Sequence, residues 1–233
     1  MSAGKSGGTG SKKAPPKSRD LVVRLKTTNG RSPASQAWLR RQLNDPYVVA
    51  AQQQGFRSRA AFKLIELDDR FKLIRRGCRV IDLGAAPGGW AQVAVKRGAA
   101  QVIGVDLLPV DPVQGATIIE GDFTDPAMPV RLRAMMNAPA DLVLSDMAPN
   151  TTGHSATDHI RIMALAEMAL QFAIENLVEG GAFVAKVFQG GSEKTMLAGM
   201  KLHFSSVRHA KPPASRKESS ELYVVASGFR ERK

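Results

Sequence analysis

The sequence predicts an α/β fold in which a mostly parallel, seven-stranded sheet carries helices on both faces. Short runs of aliphatic and β-branched residues alternate along the chain with longer amphipathic segments, an order typical of parallel sheets covered by helices. A length of 233 residues and an apolar fraction of 43% suit one domain with an ordinary hydrophobic core. We find no internal repeat.

The N-terminal segment predicts a basic arm that precedes the domain. Residues 1–34 are rich in Gly, Ser, Pro and Lys, which is typical of disordered segments, so the domain is expected over residues 35–233. Residues 1–41 contain ten Lys or Arg and one Asp, so about nine of the net +12 charges lie there. Such an excess favours a polyanionic partner, nucleic acid before membrane, although a basic tail can also be merely solvated.

Two helices are expected before the first strand. The first is a short helix over "SQAWLRRQLN". The second covers "SRAAFKLIELDDRF", with Ser58 as its N-cap and apolar residues near helical spacing. Lys63 lies on this second helix, flanked by core residues.

From Arg79 onwards strands and helices alternate. The predicted segments, in chain order, are strand "RVIDL", a helix from about Gly89, strands "QVIGVD" and "ATIIEGD", helix "PVRLRAMMN", strand "DLVLSD", helix "DHIRIMALAEMALQFAIENLV", strand "GGAFVAKVF", helix "EKTMLAGMKLHF", and strands "SSVRHA" and "ELYVVASGF".

The composition excludes several classes of protein. Cys78 is the only cysteine, so no intramolecular disulfide can form, and the four scattered histidines suggest no metal site. No apolar run reaches the roughly 18 residues of a membrane span, and the first nineteen residues lack the apolar region of a signal peptide. We therefore expect a cytoplasmic protein without a membrane partner, and a monomer by default.

The turn "DLGAAPGGW" after the first strand is the predicted ligand site, because ligands of open parallel sheets bind beyond the carboxyl ends of the strands. Gly84, Gly88 and Gly89 would let the backbone approach a ligand closely. The dinucleotide pattern G-x-G-x-x-G is not kept, and Pro87 lacks the N–H group that a pyrophosphate would need. A tight turn required only for packing is the alternative.

Acidic residues end three successive strands after this turn, namely Asp106, Asp122 and Asp146. Each alone is compatible with a turn residue or a helix cap. Together they predict a negatively biased rim. Such a rim suits the sulfonium cation of S-adenosylmethionine better than the phosphates of NAD.

Several linked motifs resemble, in order, those of the FtsJ (RlmE) family of ribosomal RNA 2′-O-ribose methyltransferases. They are "DLGAAPGGWAQVA", "GVDLLPVDP", "GDFTD", "LSDMAPNTTG", "AKVFQG" and "SSELYVVA", and the resemblance covers about residues 44–229. It implies a Rossmann-like methyltransferase fold, with S-adenosylmethionine as cofactor and S-adenosylhomocysteine as product. It also implies a uridine ribose in the A-loop of 23S rRNA as target, within the 50S particle at a late stage of assembly.

The resemblance also implies which residues perform the reaction. The implied catalytic set is Lys63, Asp146, Lys186 and Glu221. With the glycine turn, the expected cofactor contacts are Gly84, Pro87, Gly88, Gly89, Trp90, Asp106, Asp122 and Asp146. Each has an ordinary structural explanation as well, and Trp90 fits equally as a core residue of its helix. Lys186 stands out unaided, because a lysine inside an apolar strand is costly unless it is paired or functional.

The implied chemistry is removal of the proton from a ribose 2′-hydroxyl as that hydroxyl attacks. A lysine can accept the proton only in its neutral form, which burial and a neighbouring ammonium favour and a neighbouring carboxylate disfavours. We take Lys186 as the base and Asp146 as the positioning residue, with the reverse assignment left open. Glu221 would hold Lys63 in place.

A 2′-hydroxyl exists in RNA and not in DNA, so this chemistry selects large-subunit rRNA or another RNA. Arg57 and Arg59 are candidates for contacts with RNA phosphates. The alternatives are a 2′-O-methyltransferase of tRNA, a ribosome-assembly factor that binds RNA without turnover and, more distantly, an NAD oxidoreductase. A 5-methylcytosine enzyme would need a nucleophilic cysteine, and Cys78 precedes the first strand.

Overall fold

The computed structural model describes residues 30, 32–149, 154–188, 193–216 and 218–231. The predicted arm lies almost wholly outside these residues, so its disorder and its boundary stay predictions. The described elements, in chain order, are α1 (Pro33–Leu43), α2 (Pro46–Gln53), α3 (Ala60–Phe71), β1 (Arg79–Leu83), α4 (Gly89–Lys96), β2 (Gln101–Asp106), β3 (Thr117–Glu120), α5 (Ala127–Met136), β4 (Ala140–Ser145), α6 (Ser155–Asn176), β5 (Leu177–Phe188), α7 (Glu193–His203), β6 (Phe204–Ala210) and β7 (Glu221–Phe229).

Every predicted strand and helix is found, with its ends within three residues of the expected ones. The prediction missed α2, which has clear local signals: the Asp45 carboxylate accepts a 2.9 Å hydrogen bond from the Tyr47 N–H, and Pro46 occupies the first helical position. The assignment of Ser58 as N-cap was wrong. Arg59 occupies that position without a side-chain cap, and Ser58 Oγ is buried without a hydrogen bond to any described residue.

The strand order is β3-β2-β1-β4-β5-β7-β6. Strands β1 to β5 are parallel, and β7 lies antiparallel between β5 and β6. The predicted α/β class and the mostly parallel seven-stranded sheet are thereby confirmed. The chain runs outwards from β1 to β3 and returns to β4, so strand order reverses between β1 and β4, where an open sheet forms its ligand crevice.

Two hydrophobic layers cover the sheet, one on each face. One layer packs α3 and α4 against the sheet, and the other packs α5, α6 and α7 against it. Because each face is covered, the central strands β1, β2 and β4 are almost continuously buried. Among the described residues no helix is both long and apolar enough to cross a membrane.

Candidate active site

The four side chains of the implied catalytic set lie together at the carboxyl edge of the parallel strands. Lys63 projects from α3, Asp146 directly follows β4, Lys186 lies near the end of β5, and Glu221 begins β7. Strands β4, β5 and β7 are neighbours in the sheet, and α3 packs against the face they share. The fold therefore brings residues that are distant in sequence to one point.

Two ion pairs hold the lysines in place. Lys186 Nζ lies 2.9 Å from Asp146 Oδ1 and donates a 2.8 Å hydrogen bond to the Asp146 backbone carbonyl. Lys63 Nζ lies 2.8 Å from Glu221 Oε1. The four side chains are between 10% and 17% exposed, so removing either member of a pair would leave a largely buried, unpaired charge.

The hydroxyl group of Tyr223 connects the two ion pairs. It accepts a 3.1 Å hydrogen bond from Lys63 Nζ and donates a 2.6 Å hydrogen bond to Asp146 Oδ1. Tyr223 is fully buried and lies opposite Lys186 in the β5–β7 register. The sequence prediction missed this residue, although a residue two positions after Glu221 on one strand faces the same side of the sheet.

The network keeps Asp146 ionised and Tyr223 protonated. Burial alone would raise the pKa of Asp146, but the nearby ammonium groups of Lys186 and Lys63 and the hydrogen bond from Tyr223 outweigh burial and hold that pKa below its usual range. Burial, followed by the charges of Asp146 and Glu221, raises the pKa of Tyr223 well above its usual value. The phenol can therefore donate to Asp146 while it accepts from Lys63.

The loop between β6 and β7 supports Glu221. Ser215 Oγ donates a 2.9 Å hydrogen bond to Glu221 Oε1. The neighbouring Ala214 donates its N–H to Glu66 Oε2 at 2.7 Å, and its carbonyl accepts a hydrogen bond from the Arg59 guanidinium. Arg59, at the N-cap of α3, and Glu66 lie four positions before and three positions after Lys63, so all three share one side of the helix. One side of α3 thus positions both Lys63 and the β6–β7 loop that supports Glu221, the ion-pair partner of Lys63.

The glycine turn between β1 and α4 packs closely against the protein itself. Gly84 and Gly88 have φ angles of +81° and +103°, which side chains rarely adopt. A Cβ atom at Gly84 would lie 2.7 Å from the backbone N of Met147, and one at Gly88 would lie 2.8 Å from the Val113 side chain. At Gly89 it would lie 2.9 Å from a serine hydroxyl. Close packing therefore accounts for these glycines, and their contact with a cofactor stays a prediction.

A cavity of about 370 Å³ opens beside this turn. Gly84, Asp106 and Asp122, three of the predicted cofactor residues, line it. Its apolar wall includes Leu107, Phe123, Met147, Leu165 and Met168. This volume and this mixture of apolar walls with a few polar groups are typical of small-molecule sites.

The two carboxylates of the cavity are oriented by local hydrogen bonds. Asp106 accepts from the Ala86 N–H at 2.8 Å and from the Leu108 N–H at 2.9 Å. Asp122 is exposed and accepts from the hydroxyl and the N–H of Thr124, and these hydrogen bonds hold the pKa of that carboxyl below its usual range. Within the described residues, no three His, Cys, Asp or Glu side chains cluster as a metal site would require.

Trp90 is packed in the hydrophobic layer between α3, α4 and the sheet. It is 3% exposed, and its indole N–H donates a 2.8 Å hydrogen bond to the Ala60 carbonyl at the start of α3. Its ring centroid lies 5.7 Å from that of Tyr223. The geometry agrees with the core interpretation, and contact between Trp90 and a cofactor stays a prediction.

Asp82, in β1 directly before the turn, is a buried carboxyl group that the sequence prediction did not single out. It is 1% exposed, and neither oxygen makes a well-formed hydrogen bond to a described residue. Burial, then the charges of Asp146 and Asp106, raise the pKa of Asp82 to about 8, and the Ala91 N–H offsets only part of this effect. Asp82 is therefore mostly neutral at pH 7.

Arg57 and Arg59, the predicted phosphate contacts, use their guanidinium groups inside the protein. Arg57 donates to the Pro87 carbonyl at 3.1 Å and to the carbonyls at positions 111 and 112 at 2.5 and 2.6 Å. It thereby ties the glycine turn to the loop after β2. Arg59 pairs with Asp45 at 2.7 Å. Both side chains stabilise loops next to the site through these contacts, and their contact with RNA stays a prediction.

Comparisons with known proteins show the family of this chain. Residues 56–229 match the family described as FtsJ-like methyltransferase. A Gluconobacter oxydans protein named ribosomal RNA large subunit methyltransferase E is 74% identical over 91% of this chain and 79% of its own length. A Granulibacter bethesdensis protein of the same name is 71% identical over 95% and 97%. A solved Plasmodium falciparum chain titled as a ribosomal RNA methyltransferase has a TM-score of 0.67 and 27% identity, covering 75% of this chain and 98% of that one.

Proposed function

Because the chain belongs to the FtsJ-like methyltransferase family, we propose that it transfers a methyl group from S-adenosylmethionine to a ribose 2′-hydroxyl of large-subunit rRNA. The observation that carries this proposal is the continuous network in which Tyr223 joins both lysine–carboxylate pairs. The network adjoins the cavity, since Met147 lines the cavity and directly follows Asp146. The names of the two bacterial relatives support rRNA as the substrate.

The chemistry of the cavity suits S-adenosylmethionine. The carboxylates of Asp106 and Asp122 favour a cationic or neutral nucleoside over a pyrophosphate, and Pro87 in the turn offers no N–H to a phosphate. The apolar wall suits an adenine ring. We assign Asp106 and Asp122 to the nucleoside part of the cofactor and Gly84, Pro87, Gly88 and Gly89 to the turn that faces it. When bound, the cofactor would supply a methyl group from its sulfonium, and the rest of the cofactor would be left as a neutral thioether.

Lys186 is the proposed base. In its neutral form its Nζ would accept the proton of the 2′-hydroxyl as that oxygen takes the methyl group that S-adenosylmethionine would supply. Asp146 is the weaker choice, because its lowered pKa reduces its tendency to take a proton.

The remaining members of the network position these groups. Lys63 lies within hydrogen-bond distance of the Tyr223 hydroxyl and is held by Glu221, so its positive charge stays fixed close to Asp146. Asp146, held by both Tyr223 and Lys186, orients the base towards the hydroxyl. Since the leaving group is already good, such positioning should supply much of the rate.

The finer substrate that we propose is a uridine ribose in the A-loop of 23S rRNA, modified within the 50S particle late in assembly. This follows from the motif resemblance and is supported by the relatives' names. We accordingly place the protein in the cytoplasm, where ribosomal particles mature in bacteria, and we expect it to act as a monomer.

The test uses purified protein, methyl-labelled S-adenosylmethionine and large-subunit particles from cells that lack the enzyme. The methylated position is mapped by primer extension sensitive to 2′-O-methylation. Lys186→Ala should abolish transfer while cofactor binding, measured by calorimetry, is retained. Lys201→Ala, at an exposed lysine on α7, serves as the matched control and should leave transfer unchanged.

Each outcome of this experiment has a clear meaning. Transfer to one ribose of the particle supports the proposal. Transfer to tRNA but not to particles would overturn the rRNA assignment. Binding of particles without transfer to particles, free rRNA or tRNA would favour a non-catalytic assembly factor. Transfer by Lys186→Ala at the wild-type rate would refute the assignment of the base.

A further inference from the structure

The chain between the end of α3 and the end of β2 is strongly basic. Residues 70–105 contain seven Lys or Arg and one acidic residue, Asp82, which is buried. The exposed part of this segment therefore carries only positive formal charge. The seven basic residues are Arg70, Lys72, Arg75, Arg76, Arg79, Lys96 and Arg97.

These cations gather at the end of the molecule opposite the catalytic edge. Arg97, after α4, pairs with Asp68 and Asp69 of α3 at 3.0 and 2.9 Å, and the Gly77 N–H donates a 2.7 Å hydrogen bond to the Gly98 carbonyl. The last turns of α3 and α4 and the connection to β1 thus form one surface. We call it the basic end surface, and it comprises Arg70, Lys72, Arg75, Arg76, Lys96 and Arg97.

The basic end surface lies one strand length from the catalytic network. It adjoins the start of β1, whereas the network lies at the carboxyl ends of the neighbouring strands. The five residues of β1 span about 17 Å at roughly 3.3 Å per residue. An RNA that reaches this surface while its target ribose is in the active site must therefore extend well beyond one nucleotide.

Carboxylates neutralise only part of this surface. Arg97 is paired with two aspartates, and Arg75, whose side chain is 66% exposed, lies 3.9 Å from its carboxylate neighbour. Within the described residues no carboxylate lies in ion-pair range of Arg70, Lys72 or Arg76, all of them exposed. The dipole of α3 favours a cation such as Arg70 in its last turn. It gives no reason for cations in the connection beyond the helix.

We propose that the basic end surface binds phosphate groups of the RNA substrate at a distance from the target ribose. The inference rests on the proposed function, which makes RNA the substrate. Arg70, Lys72 and Arg76 are exposed cations without an ion-pair partner among the described residues, and such cations match the regular negative charge of an RNA backbone. Such contacts add affinity and salt dependence without sequence choice. They would let the enzyme prefer a large, structured RNA over a short strand that carries the same target.

The test is the triple variant Arg70→Gln, Lys72→Gln, Arg76→Gln, assayed on particles and on a protein-free rRNA fragment from 50 mM to 1 M salt. We expect the slope of log(kcat/KM) against log[salt] to become less steep by about 2 to 3, which corresponds to a fall in kcat/KM at 50 mM salt of at least about several hundredfold. The kcat at saturating RNA and the Kd for S-adenosylmethionine should stay at wild-type values. The difference from wild type should vanish near 1 M salt.

The matched control is Arg131→Gln, Lys201→Gln, Arg208→Gln, which removes the same charge from exposed positions on α5, α7 and β6. An equal loss in the control, or an unchanged salt slope in the test variant, would overturn the proposal. A defect on particles alone, with normal kinetics on protein-free rRNA, would also overturn it and point to an acidic ribosomal protein as the partner. Failure of the proposed function would be visible separately, as absence of transfer by the wild-type protein.

Discussion

Asp82→Asn is expected to change how the stability of the protein depends on pH. The pKa of this carboxyl is about 8 in the folded protein, compared with an ordinary value of 3.8 that applies to the unfolded chain. Between these two values only the folded state holds the proton, so the free energy of unfolding falls by about 1.4 kcal/mol for each pH unit gained. The stabilising contribution is thus complete below pH 4 and is lost as pH rises through 8. Over the whole interval the change is at most about 5–6 kcal/mol.

The assay compares thermal unfolding of wild type and Asp82→Asn at pH 5 and pH 9. Asparagine has the same shape and cannot ionise, so the variant should gain at least about 2 kcal/mol relative to wild type between the two pH values, or about 4–8 °C in Tm. Asp122→Asn is the control. Its carboxyl is exposed with a lowered pKa, so both folded and unfolded states are ionised throughout this range and its curve should run parallel to wild type. Parallel curves for Asp82→Asn would refute the reasoning.

Two further predictions concern the site itself. Tyr223→Phe keeps the buried ring but removes the hydroxyl between Lys63 and Asp146, so kcat should fall on the order of 10- to 100-fold while cofactor affinity is unchanged. The rate of methyl transfer is measured under single-turnover conditions. An unaltered rate would show that the Tyr223 hydroxyl plays no part in the reaction. Arg57→Met removes the donors to three carbonyls around the glycine turn, so the Kd for S-adenosylmethionine, measured by calorimetry, should rise on the order of tenfold. The dependence of RNA affinity on salt concentration should stay as in wild type. The opposite pattern, an unchanged Kd for S-adenosylmethionine with a reduced salt slope, would support Arg57 as a phosphate contact.

The fold was predictable because each element carries its own local pattern. The five parallel strands are apolar runs bounded by turn residues, and the long α6 is periodic over its length. The missed helix α2 had the Asp45–Pro46 signal as well, but its eight residues are too short for a convincing period. The N-cap prediction at Ser58 was wrong by one residue: Arg59 is the N-cap, and the Ser58 hydroxyl instead lies beside the glycine turn, 2.9 Å from where a Cβ atom of residue 89 would be.

The four residues of the implied catalytic set lie together in the fold, whereas the network that joins them was not predicted from the sequence. Lys186 was conspicuous because a strand of apolar neighbours surrounds it. Tyr223 and Asp82 were not, because tyrosine and aspartate are ordinary in or next to strands, and their importance comes from partners on other strands. The structural contacts of Arg57 were not predictable for the same reason, because the carbonyls that it binds lie on two other loops, and the contact of Arg57 and Arg59 with RNA stays a prediction.

Pairing, rather than spacing, separates the two candidates for the base. The sequence places a lysine and an aspartate at the same strand edge and leaves their roles interchangeable. In the folded protein the Asp146 carboxylate takes hydrogen bonds from both Tyr223 and Lys186 and has two ammonium groups nearby, which stabilise its charged form. A carboxylate stabilised in this way is a poor proton acceptor but a good anchor. The contacts that make Asp146 the weaker candidate for the base also suit it to the proposed role of orienting Lys186, and they depend on Tyr223 and Lys63.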